Sequence, residues 1–464
     1  MNTSIRIEHD SLGAVEVPVN ALWGAQTQRS LTNFAIGKEI LPFKLIYALA
    51  QIKQAAATVN NNLGVLDKDK KDLIIKAASE ISQGLHDNQF PLKVWQTGSG
   101  TQTNMNVNEV ISNLASQAQG YPLGSHKPLH PNDHVNRSQS TNDVFPSAIH
   151  IATVNDITKR LLPELNLLIG AFNQKSNAWG EIIKIGRTHL QDAVPLTLGQ
   201  EASAWRDQLA SARDRIQNSL VEIYPLPLGG TAVGTGLNAP SNFDLQITEE
   251  LSKLTGFPFE PAKNKFALMA SHDGLVNTMS QLRMLSISLL KIVNDLRLLA
   301  SGPRAGLAEL QLPGNEPGSS IMPGKINPTQ CEAMAMVCTQ VIGLDTAVGM
   351  AGSGGHLQMN AYKPLIGFNI LNTIDLLHDA CLKCRTAMIE GIEPNREKIQ
   401  TDLKQSLMLV TALTPKIGYK KSSEIAQLAH SKNITLRQAS IELGYINEVE
   451  FDNIVNPTSM LEPN

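Results

Sequence analysis

Along most of the chain, apolar residues recur at steps of three and four. The clearest run lies between 273 and 300, where Leu275, Met279, Leu282, Leu285, Leu289, Val293 and Leu296 trace one stripe about seven turns long. Similar patterns cover 160–178, 198–222, 328–350 and 364–390, and two further helices are expected around 42–62 and 68–86. Some long segments are apolar on more than one face, as at Ile287 with Leu290 and Leu298 with Leu299. A helix apolar on several sides must be covered on several sides. The pattern therefore predicts an all-α protein built on a long-helix bundle, with a helical subunit interface.

Texture divides the chain into three. Residues 1–139 mix an extended opening, the two helices and polar Gly/Asn/Thr loops; 140–395 hold the long helices; 396–464 hold shorter ones broken by Pro415, Gly418 and Gly444. No window offers 18 uncharged apolar residues, so no membrane span is expected. The first ten residues have neither an apolar h-region nor an Arg-rich amphipathic pattern.

Composition narrows the picture further. Of 464 residues, 42% are hydrophobic but only 5% aromatic, which favours helix packing through Leu, Ile, Ala and Met. Basic and acidic residues, 39 against 42, nearly cancel, which argues against a general nucleic-acid or anionic-membrane binder. Four cysteines are too few for a disulfide scaffold and suit a reducing cytoplasm.

Four polar clusters stand out from the helices. The most informative is Gly318-Ser-Ser-Ile-Met-Pro-Gly-Lys-Ile-Asn-Pro-Thr-Gln-Cys-Glu332. Glycine, proline and adjacent serines make a loop, and Asn327, Pro328 and Gln330 read as N-cap, first helical position and capping-box partner. Such a helix start, with Lys325 beside Ser319 and Ser320, suits an anion. The other three clusters are 98–109, opening Gly98-Ser-Gly-Thr101; 138–143, Ser-Gln-Ser-Thr-Asn-Asp; and Gly186-Arg-Thr-His-Leu-Gln-Asp192, followed by the capping box Thr197-Leu-Gly-Gln200.

Singly each cluster is explained by cap chemistry. Together, with His189 and Lys325 among them, they point to one small anionic substrate. His189 is placed to act as acid or base near neutral pH, and Glu332 to orient it, provided the fold brings them together.

Other patterns are weaker. His126, His130 and His134 recur like a metal-binding helix face, but Pro128 and Pro131 break any regular helix there, so no metal is expected. Cys381 with Cys384, and Cys331 with Cys338, sit inside helical patterns and read as core thiols. The run 229–236 lacks the lysine and setting of a phosphate loop. Residues 423–440 imitate a helix-turn-helix, a pattern that two short helices packed on the body also produce.

The serine loop resembles the signature of the fumarase/aspartase superfamily, and the likeness extends over essentially the whole chain. Trp95-Gln-Thr-Gly-Ser-Gly-Thr-Gln-Thr-Asn-Met-Asn-Val-Asn-Glu109 and His130-Pro-Asn-Asp-His-Val-Asn136 carry it towards the iron-independent fumarases. His189 in Arg187-Thr-His-Leu-Gln separates it from aspartate ammonia-lyases, which carry Gln there. Thr141 departs from the usual fumarase Ser but keeps a hydroxyl.

The resemblance implies an all-helical homotetramer with a twenty-helix core and active sites assembled from three subunits. It implies reversible hydration of fumarate to (S)-malate in the tricarboxylic acid cycle, with no metal or organic cofactor. Ser319 would be the base at C3, and His189 with Glu332 would act through water at C2. Ser99, Gly100, Thr101, Ser140, Thr141, Asn142, Thr188, Ser320, Lys325, Ile326 and Asn327 would bind the dicarboxylate. His130, Pro131, Asn132 and Asp133 match a second dicarboxylate site of the family. An aspartate ammonia-lyase and a catalytically silent structural homologue are the alternatives.

Overall fold

The computed structural model describes residues 4–463, and among these helices dominate: seventeen α-helices against a few short strands. The apolar stripe becomes the single helix Asp273–Leu299, and all seven of its residues are at most 1% exposed. The other long patterns become Leu162–Ala178, Leu198–Ser219, Thr329–Gly352 and Lys363–Cys384, and the two early ones Phe43–Asn62 and Lys68–Ser82. The extended opening is a hairpin, Ile5–Asp10 paired with Gly13–Pro18.

Packing gathers the chain into two compact units, each built from three separate stretches. The first takes residues up to Pro163 with Arg213–Ser286 and Val337–His378. Its core is laid down by Leu45, Leu49 and Ile52 on Phe43–Asn62, Val107 and Val110 on Thr101–Ala118, and Phe145 and Ile149 on Thr141–Asp156, all fully buried.

The second unit comprises Glu164–Ala212, Ile287–Met336 and the chain from Asp379 onward. Its last part has an apolar cluster of its own around Leu413, Ile425, Ala429, Ala439 and Phe451. The helices Tyr419–Lys432 and Leu436–Glu442, which imitate a helix-turn-helix, pack into that cluster. Arg437 there is engaged by Asp452 and Glu448.

Thr329–Gly352 differs from the sequence expectation. It is long and apolar enough to cross a membrane by length and composition, yet only 22% of its most apolar stretch is buried. Glu332 and Asp345 are its two charged residues, and its other polar positions are small or uncharged, which is why a test for unbroken apolar runs passes it over. Met336 and Met350 on it are 68% and 70% exposed.

Candidate active site

In the second unit the serine loop folds back on itself. The Gly318 N–H donates to the Lys325 carbonyl at 3.0 Å, and Asn327 Nδ2 donates to the Gly318 carbonyl at 2.5 Å. The helix begins at Thr329, so Asn327 spends its amide on closing the loop and not on capping the helix. Only glycine suits position 318, because a Cβ there would lie 2.2 Å from the Lys325 carbonyl oxygen.

Within this ring the Ser319 hydroxyl oxygen accepts the backbone N–H groups of Ile321 at 3.3 Å and Met322 at 3.0 Å. Two amides therefore already point at the oxygen that would have to carry negative charge. Ser320, Lys325 and Ile326 are exposed on the same loop, and Glu332 is exposed in the first turn of the helix that follows.

Thr188 and His189 are not beside a helix start. Ile183–Thr188 pairs antiparallel with Gln191–Thr197, and His189 and Leu190 form the tip of this hairpin with φ of 55° and 60°. Left-handed backbone at two consecutive non-glycine residues is costly, and more so for Leu than for His. The hairpin ends in the expected capping box: Thr197 N–H donates to Gln200 Oε1 at 2.8 Å, and Gln200 N–H to Thr197 Oγ1 at 3.0 Å.

At the root of the hairpin Glu309, 1% exposed, sits between Lys184 at 2.7 Å and Arg187 at 2.6 Å. His189 itself is exposed. Among the described residues it shares no hydrogen bond or ion pair with Glu332 within one chain.

The remaining candidates lie in the first unit. Ser99 and Thr101 share a hydroxyl–hydroxyl bond of 2.9 Å at the start of Thr101–Ala118, with Gly100 between them at φ +80°. The next helix, Thr141–Asp156, opens with a reciprocal box: Ser140 N–H donates to Asp143 Oδ1 at 2.9 Å, and Asn142 N–H to Ser140 Oγ at 3.3 Å.

These two helix starts are tied together by Asn104, whose Nδ2 donates to the Thr141 hydroxyl at 2.9 Å. Thr141 is thus a buried structural acceptor. Asn142 Nδ2 donates to the Ala232 carbonyl at 2.8 Å.

Asp143 explains the glycine run 229–236. Its second carboxylate oxygen accepts the N–H groups of Gly229 at 3.0 Å and Thr231 at 2.9 Å. The amides that resemble a phosphate cradle hold a carboxylate of the chain itself. Beneath lies Lys53, fully buried, donating to Asn136 Oδ1 at 2.9 Å and Gln139 Oε1 at 3.0 Å. Burial pulls Lys53 down to about 7 and pushes Asp143 up to about 7, while their attraction opposes both shifts.

Asp143 and Asn104, with Glu309 in the other unit, are buried polar residues whose bonding partners sequence reasoning did not identify. The Ser-x-x-Asp spacing at 140–143 is the one local signal that identifies any of them.

The segment after His130 is a π-helical turn, Pro131–Val135. His130 caps it, its Nδ1 accepting the N–H groups of Asn132 at 3.3 Å and Asp133 at 3.2 Å. Pro131 is buried, while Asn132 and Asp133 are exposed. The four cysteines are buried, and burial pushes the Cys331 and Cys338 thiols up to about 11 and about 12.

Residues 13–343 match a family model described as Lyase, and residues 409–462 one described as Fumarase C C-terminus. The chain is 73% identical over 456 residues to a class II fumarate hydratase of Prochlorococcus marinus (strain MIT 9313), covering 98% of each. It is 60% identical over 463 residues to that of Parasynechococcus marenigrum (strain WH8102), covering 100% of each. Among solved structures it resembles a class II fumarase from Schistosoma mansoni with a TM-score of 0.97 and 45% identity, over 99% of this chain and 100% of that one.

Proposed function

We propose a residue-level mechanism from one premise: the chain belongs to the class II fumarate hydratase family of lyases. It is a hydro-lyase that hydrates fumarate reversibly to malate, and the ammonia-lyase reading is not favoured. The difficult step in the malate-to-fumarate direction is loss of a C3 proton. The carbanion formed places a second negative charge on the adjoining carboxylate, and a site must stabilise that charge where it develops.

Ser319 is the proposed base. The observation that carries this assignment is the pair of backbone N–H groups from Ile321 and Met322 already aimed at its oxygen. An alkoxide needs such donors and a nearby cation, and Lys325 on the same loop supplies the cation. Lys325, Asn327 and Asn142 are proposed around the charge-accumulating carboxylate, with Ser320 and Ile326 completing the loop's contact.

At C2, His189 is proposed to move the proton of a water molecule with Glu332 orienting it. Both are exposed and unpaired with each other in one chain, which supports their meeting between copies. Ser99, Gly100, Thr101, Ser140 and Thr188 are proposed to hold the substrate by neutral hydrogen bonds. Thr141 is proposed among them, its hydroxyl donating to the substrate while its oxygen accepts from Asn104. His130, Pro131, Asn132 and Asp133 are proposed as a second, peripheral dicarboxylate site.

The uncovered apolar helix Thr329–Gly352 supports a homotetramer whose core these helices share and whose active sites draw on three copies. Four buried thiols support a reducing cytoplasm, with a place in the tricarboxylic acid cycle. The separate apolar cluster near the C-terminus supports a small C-terminal domain beginning near 396, and the domains 1–139 and 140–395 are proposed on the texture of the sequence.

The test is absorbance at the fumarate double bond, with (S)-malate as substrate, with and without EDTA, and again with L-aspartate. Activity on malate that chelator leaves intact is expected, falling by two or more orders of magnitude in Ser319→Ala while helix content persists. Near wild-type turnover in that variant removes Ser319 from the base role. Activity on aspartate alone makes the chain an ammonia-lyase, and silence on both makes it a structural homologue.

A further inference from the structure

The hairpin that carries His189 is strained at its tip and unusually well anchored at its root. Strict strand alternation sends residues three apart to opposite faces. Between Ile185 and Arg187 the pairing register shifts, and Gly186 sits where a Cβ would come within 2.6 Å of the Val194 carbonyl oxygen. Such an irregularity re-aims the side chains beyond it. Here its result is that Lys184 and Arg187 both reach the two oxygens of one buried carboxylate, Glu309. Lys184 is also paired with Glu201 at 2.8 Å.

Glu309 is in turn held by its backbone. Its N–H donates to the Leu299 carbonyl at 2.9 Å, and its carbonyl accepts from Asn395 N–H at 2.8 Å. The next two residues, Leu310–Gln311, pair with Glu393–Pro394. The cations of the hairpin are therefore clamped to a point that is itself fixed on both sides. A two-residue hairpin turn needs positive φ at both positions, which is disfavoured for His and Leu, and the clamp holds the strand that leads into that turn.

We propose that Glu309 is a positioning residue for His189: through Lys184 and Arg187 it fixes the hairpin so that the imidazole is presented in its working orientation. The inference rests on the acid/base role proposed above for His189. Glu309 touches no substrate in this scheme and acts only through the hairpin.

A double-mutant cycle on the assembled enzyme tests it. Glu309→Gln removes the charge and keeps the shape. It is expected to lower kcat for malate about 10–100-fold, the scale of a misplaced catalytic group, with KM changed by less than about threefold. In the His189→Asn background the same substitution is expected to lower kcat by less than about twofold, because the group it positions is already gone.

Arg187→Lys keeps a cation beside Glu309 but loses the fixed fork. It is expected to give an intermediate loss of kcat that also disappears in the His189→Asn background, and it carries the test if Glu309→Gln does not assemble. Equal losses in both backgrounds, or unchanged turnover in Glu309→Gln, overturn the proposal while leaving the fumarase reading intact. A wild-type protein inactive on malate overturns both.

Discussion

One added methyl group in the serine loop separates closure of the proposed catalytic ring from stability of the fold. In Gly318→Ala the new Cβ would stand 2.2 Å from the Lys325 carbonyl oxygen and 2.8 Å from its carbon. A carbon and a carbonyl oxygen come no closer than roughly 3.3 Å even in favourable contacts, so the two sides of the loop must part by about 1 Å. Parting breaks the Gly318–Lys325 backbone bond and the Asn327 bond to Gly318. Lys325 then leaves its place relative to Ser319.

A misplacement of about 1 Å at a reacting group costs on the order of 100-fold, equivalent to about 2.7 kcal/mol of barrier. The loop contributes little buried surface, so the melting temperature should stay within about a degree of wild type. Malate dehydration followed by fumarate absorbance, beside a thermal melt of the same preparation, reads both quantities. Wild-type turnover in Gly318→Ala would refute the claim that the closed ring is the working form. A large fall in melting temperature would refute the claim that the loop is peripheral to the core.

Thr141→Ser should leave turnover nearly unchanged, since a hydroxyl remains for Asn104. Thr141→Val strands one N–H of that buried amide, the other being held by Asn136, and should cost about 1–3 kcal/mol, read as a lower melting temperature. His150 is fully buried and its Nδ1 is taken by the Ile223 and Pro225 carbonyls; burial pulls it down to about 4. The unfolded chain therefore binds a proton below about 6.5 that the folded chain refuses, and stability is lost as pH falls from about 6.5 towards 4. His150→Gln should flatten that acid limb in a melting-temperature series, and an unchanged slope would assign the acid sensitivity elsewhere. Chelation should leave the activity intact, as an EDTA titration of malate turnover checks.

The helices were legible because burial along a helix repeats every three to four residues, and Leu275 through Val293 and Leu296 obey that period without interruption. The polar clusters were legible too, since Ser140 with Asp143 and Thr197 with Gln200 are local cap chemistry. The hairpin at 183–197 was not. Its turn residues are His189 and Leu190, whereas a two-residue hairpin is normally announced by Asn or Gly. Asn327 reads as a cap and instead closes the loop, because the Gly318 carbonyl that takes its amide is near only in the folded ring. Glu309 and Asn104 were silent for a similar reason: their partners Arg187 and Thr141 are far along the chain, and nothing local marks the pairing. Thr141 stands with the other hydroxyl candidates in the sequence, and only the fold shows that its oxygen also accepts the Asn104 amide.

The helix Thr329–Gly352 has a consequence for how the protein comes into being. A newly released chain displays an apolar rod most of which nothing of its own covers. Under the proposed assembly, maturation depends on encounter between copies, so its rate rises with the concentration of chains. The same helix follows directly from the serine loop, so the act that shields the rod also seats the loop. Under that proposal, dilution or a slow supply of partners would leave a chain both adhesive and inactive. Newly made subunits would be the form that chaperones hold, and the finished tetramer the form that they ignore.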